Sequence, residues 1–154
     1  MRYRFLLLAV VFTLSATACS SGSTATTAAS LPSPTRVAGC SDVSFIIPSS
    51  SDATVMMGRV YTFLKEEKPE IVGTQFDATL LQITRKGGFD LMTVQFSGEL
   101  GLVLFVQEPG GVLHIGWEGP AASQDELRAH LAGTYPDVPA DMIRCHDLSY
   151  FTAG

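Results

Sequence analysis

No apolar run in this chain is long enough to cross a bilayer. The best candidate, Phe5 to Leu14, spans about 15 Å as a helix against a hydrocarbon core of roughly 30 Å. Basic residues are scarce too, with ten Lys and Arg against fifteen Asp and Glu. That balance argues against nucleic acid and against electrostatic adhesion to anionic lipid, both of which need a basic face. The common catalytic signatures are missing. His114, His130 and His146 fall in no H-E-x-x-H spacing, and Ser97 cannot form a nucleophile elbow because Gln95 stands where that turn needs glycine. The pairs Gly87, Gly88 and Gly110, Gly111 lack the strand-to-helix setting of a phosphate loop and read as hairpin turns. The carboxylates are scattered, Glu66 and Glu67 beside Lys68 reading as the solvated end of a helix. A metal set from Cys145, His146 and Asp147 would need three chain neighbours to converge on one ion. The expectation is therefore no catalytic residue, no metal, no cofactor, and no enzyme.

What the chain does have is concentrated at its start. Arg2 and Arg4 precede the apolar run, and the small residues Ser15, Ala16, Thr17 and Ala18 lead to Cys19. A charged start, a short apolar middle and a small-residue cut site are the order of a secretory signal, and the two arginines stay on the cytoplasmic side while the remainder is exported. Tyr3 separates them, so the general secretory route is expected.

A cysteine at the cut resembles the lipobox of bacterial lipoproteins. Leucine is favoured three residues before the cysteine in that family, where this chain has Ala16, and small residues are permitted there. The likeness implies a lipid on Cys19 that anchors the protein to the outer leaflet of a cell membrane. The competing reading is an ordinary A-x-A cleavage after Ala18 that leaves Cys19 a free thiol.

Cysteine arithmetic bears on that choice. There are three cysteines, Cys19, Cys40 and Cys145, and an odd number in an exported protein asks for an explanation. If lipid takes Cys19, Cys40 and Cys145 form an even pair, able to bridge in an oxidising compartment. Two unpaired buried thiols remain the alternative, since a sequence does not show whether the two come within reach.

Three regions follow: a signal peptide over 1–18; the lipidated cysteine and a Ser/Thr/Ala-rich tether over 19–35; and one globular domain over 36–154. The tether, SSGSTATTAASLPSPT, has nothing to bury and reads as disordered, with a mean reach of about 20 to 24 Å. Once the signal is removed, eight Lys and Arg face fifteen Asp and Glu, a net charge of −7.

The domain reads as α+β. Ser51 and Asp52 can cap a helix to Glu67 with Val55, Met56, Val60, Phe63 and Leu64 along one side; Gly58 and the valines leave a strand open as an alternative. Four strands follow, Gln75 to Arg85, Asp90 to Phe96, Leu100 to Gln107 and Val112 to Glu118, joined by short turns into an antiparallel meander. Met92, Val94 and Phe96 alternate with Leu91, Thr93 and Gln95, which predicts a wetter face on that strand. The run LVLFV is apolar on both sides and predicts a covered, central strand. Ser123 with Glu126 marks a capping box for a second helix carrying Leu127 and Leu131, which Gly133 can stop. The expected order is N-terminal helix, four-stranded meander and C-terminal helix, with one disulfide.

Trp117, in GWEGP, either closes the core or meets a partner. With the lipoprotein start, Trp117 and Gly119, and the late Val138, Pro139 and Cys145, the layout is similar to the small secreted lipoproteins of actinobacteria. That likeness implies an envelope location and no particular chemistry. Two functional classes follow. One is a non-enzymatic interaction module for an envelope protein, which predicts an exposed apolar patch. The other is a carrier of a small apolar or lipid ligand, drawn from Met56, Met57, Phe63, Leu102, Leu104, Phe105 and Val106, which predicts an enclosed pocket of about 300 Å³ or more.

Overall fold

A computed structural model describes residues 39–69, 77–98 and 100–152. The signal peptide, Cys19 and the tether lie outside the described residues. The elements are β1 (Ser44–Ile46), α1 (Ser51–Glu67), β2 (Ala78–Lys86), β3 (Phe89–Phe96), β4 (Leu102–Gln107), β5 (Leu113–Glu118), α2 (Gln124–Thr134), α3 (Ala140–Cys145) and a 3₁₀ turn at Ser149–Phe151. The class is α+β, with one antiparallel sheet in the order β1-β2-β3-β4-β5.

The sheet has five strands where four were expected. The extra one, β1, is only three residues long and pairs Ser44 with Arg85 and Ile46 with Ile83. A run that short has too little alternation to read. At the C-terminal side, α3 and the 3₁₀ turn join α2, so several short helical pieces stand where one helix was expected.

Hairpin geometry follows from glycine where the backbone must turn left-handed. Gly87 and Gly88 sit at φ 60° and 86° between β2 and β3, a conformation that costs other L-residues strain. Two bulges then adjust the faces. Leu81 falls outside the β2–β3 register, which passes from Leu80↔Val94 to Gln82↔Thr93. That slip places Leu80 and Ile83, three apart, in the same core. Gly116 is passed over similarly between β4 and β5.

Helix α1 is capped by Ser50 rather than by Ser51 or Asp52: the Ser50 hydroxyl accepts from the Ala53 amide at 3.2 Å. Its Met56, Val60 and Leu64 pack on Ile83, Met92, Val94 and Phe105. Phe105 is met edge-on by Phe63 and Phe96, at centroid separations of 6.3 and 6.2 Å. Val55 was expected on this buried side but points outward, 57% exposed.

The opposite sheet face carries a second core, in which Leu91, Leu104 and Val106 meet Leu127 and Leu131 of α2, Met142 and Ile143 of α3, and Leu148 and Phe151. Strand β3 is therefore buried on both sides from Asp90 to Val94, and the expected wetter face shrinks to Gln95: Leu91 and Thr93 have no exposed surface, whereas Gln95 is exposed. The capping box of α2 is present in modified form. Ser123 Oγ accepts from Glu126 N at 3.1 Å, while Glu126 Oε2 accepts from the Ala122 amide at 2.8 Å. Gly133 does not stop the helix; it lies within it, and Tyr135 is the C-cap.

Gly116 sets how closely α2 approaches. A Cβ there would stand 2.9 Å from Val106 Cγ2 and 3.3 Å from Leu131 Cδ2. Gly116→Ala is expected to cost about 1–3 kcal/mol by overpacking, read as a lowered urea midpoint; an unchanged midpoint would show that α2 yields freely.

Candidate functional site

Cys40 and Cys145 are bonded, with Cα atoms 5.8 Å apart and a sequence separation of 105. The bond lies inside the α2–α3 core, both cysteines being buried. Beside it sits His146, weighed in the sequence as a metal ligand and found instead between two threonines. His146 is 1% exposed, with Nδ1 2.9 Å from Thr84 Oγ1 and Nε2 2.7 Å from Thr93 Oγ1. A neutral imidazole has one donor and one acceptor, so one threonine donates to it and the other accepts. Burial drives the His146 pKa down to about 3, against a smaller upward pull from Asp147. This ring is a structural tie between two strands and α3.

A second polar network lies under α1. Asp90 is 2% exposed and accepts from Arg85 Nε at 2.6 Å, from Arg85 Nη2 at 3.2 Å and from Gln107 Nε2 at 3.2 Å. Gln107 Oε1 in turn accepts from Arg59 Nη1 at 3.2 Å, and Arg85 also meets Asp52 of α1. The hydrogen bond to Asp90 raises the Arg85 pKa despite partial burial. The buried carboxylate is thus fully satisfied, and the chain of contacts fixes the Arg59 side chain over the end of β4.

Arg59 borders the concavity we regard as the candidate site. It is an open cleft of about 410 Å³ lined on one side by Val55, Gly58, Arg59, Thr62, Phe63 and Glu66, and on the other by Gly111 and Leu113. One helix face supplies the first six because they recur at three- and four-residue steps. The opposite wall comes from the β4–β5 turn and the start of edge strand β5. A single helix covers only part of a five-stranded face, and the cleft is the uncovered margin at β5.

The other residues drawn from the sequence are dispersed. Trp117 is partly buried against the α2 core, its Nε1 donating to Gly119 O at 3.1 Å and its ring meeting His130 edge-on at 5.1 Å. His114 Nε2 lies 3.2 Å from Glu108 Oε1, with its ring tilted against Tyr135. The Tyr135 hydroxyl donates to Ile115 O at 3.1 Å on the outer edge of β5; burial, aided by the charge of Glu108, raises its pKa. Ser97 follows β3 and bonds the Asp77 carbonyl. Lys68, beyond α1, pairs with Glu118 at the far end of β5. Trp117 and the three histidines do not line the cleft. No family model, curated protein or solved structure matches the chain.

Proposed function

We propose that the protein is a lipoprotein held at the extracytoplasmic face of a cell membrane through Cys19, and that its domain is a non-enzymatic binding module acting through the α1 cleft. The observation that carries the binding reading is the composition of that cleft: apolar Val55, Phe63 and Leu113, with a cation fixed at Arg59 and a carboxylate at Glu66. Such a surface offers apolar contact plus orientation by charge. The cleft is open rather than enclosed, which favours side chains of a partner over a sequestered lipid. The buried Cys40–Cys145 bond supports an oxidising compartment, and it leaves Cys19 as the odd thiol that lipidation would consume.

Two measurements test this. Cys19→Ser is expected to move the protein from the membrane fraction to the soluble fraction, and an unchanged distribution would refute the anchor. A photo-crosslinking residue at Val55 is expected to give adducts in intact cells that are missing when the same residue replaces Tyr150, an exposed side chain of the 3₁₀ turn. Equal labelling from both positions would refute the cleft as the contact face.

A further inference from the structure

The charges of the cleft are arranged to recognise their own kind. Arg59 and Glu66 lie on the same stripe of α1, seven residues and about 10 Å apart along the axis. Among the described residues neither lies within 4.0 Å of an opposite charge. Their midpoint falls between Thr62 and Phe63. A second α1 laid antiparallel about a two-fold axis through that midpoint brings each Arg59 opposite the other copy's Glu66, so both charges are matched twice by one operation. That reciprocity is the defining property of an isologous contact.

The surroundings fit. A Cβ at Gly58 would meet nothing within 4 Å, so another helix can come close there. Val55 and Val112, 57% and 55% exposed, offer apolar surface at the rim. Phe63, already packed on Phe105, stands at the centre beside the smaller Thr62.

We propose that a second copy of this chain packs antiparallel into the α1 cleft, tied by reciprocal Arg59–Glu66 ion pairs. The proposal rests on the reading of the cleft as the binding face and names the partner. One helix and one turn per copy make a small interface, below about 1,200 Å² in total, of the weak and reversible class.

The test uses the exported full chain carrying Cys19→Ser, so that lipid does not drive clustering, in sedimentation velocity over a concentration series. The expected result is a monomer–dimer equilibrium. Arg59→Glu alone and Glu66→Arg alone should each weaken it at least roughly tenfold, because like charges then meet at both ends of the contact. Mixing the two variants in equal amounts should restore the dimer, since one carries two acidic and the other two basic positions. Restoration also shows that both variants are folded. A wild-type chain that stays monomeric to its solubility limit, or two variants that fail to combine, overturns self-pairing. The Val55 crosslinker separates the two readings. Adducts solely with other proteins defeat the dimer and leave the binding face intact, whereas no adduct at all defeats both.

Discussion

Replacing Cys40 and Cys145 together by alanine is expected to lower the stability of the domain by about 4.7 kcal/mol. The bond closes a loop of 105 residues, and in the chain-entropy model a loop of that length restricts the unfolded chain by about this amount. Domain stabilities are themselves about 5–15 kcal/mol, so the variant should sit at the margin of folding at physiological temperature. Urea titration followed by circular dichroism reads the loss directly. Because both sulfurs are buried, dithiothreitol should reach the wild-type bond only under partly denaturing conditions. A loss of less than about 1 kcal/mol in the double variant would mean that the unfolded chain is already restrained without the link.

Acidification should produce a loss of similar size through His146. The sign follows from the two pKa values. An unfolded histidine protonates near 6.5, whereas the folded one, buried between Thr84 and Thr93, does so near 3. Between these values the unfolded chain binds a proton that the folded chain refuses, so stability is full above pH 6.5 and falls as pH drops toward 3. The slope is about 1.4 kcal/mol per pH unit, and the whole window amounts to about 5 kcal/mol. Unfolding titrations at pH 7, 6, 5 and 4 measure it. His146→Gln keeps a donor and an acceptor but does not titrate, so its stability should lose most of that slope even if its value at pH 7 is lower. An equal slope in both proteins would assign the acid sensitivity to carboxylates instead.

The parts of the fold legible in the sequence were those written in local chemistry. Paired glycines marked both hairpins, Ser123 and Glu126 marked the start of α2, and the apolar LVLFV run marked β4 as covered on both faces, as it is. What escaped was set by distant packing. Strand β1 exists because three residues after Cys40 find the open edge of β2, and no local pattern announces so short a segment. Thr93 looked like a solvent position because threonine is polar. It is buried because His146, more than fifty residues away, satisfies its hydroxyl. Val55 looked like core because it shares a helix side with Met56, but the helix lies rotated so that 53, 56, 60 and 64 face the sheet. The seven-residue spacing of Arg59 and Glu66 was always visible, but only the uncovered margin of β5 turns that spacing into a shared cleft.

The position of the covalent link has a mechanical consequence. Gly39, the first described residue, has its carbonyl held by Arg144 Nη2 at 3.3 Å, and its neighbour Cys40 is bonded to Cys145. Tension transmitted along the chain from its amino-terminal side therefore enters the body at α3, and the sulfur–sulfur link bears it before β1 can be peeled from β2. Pull applied through the residues before Gly39 would thus load the disulfide corner and leave the β1–β2 pairing outside the load path.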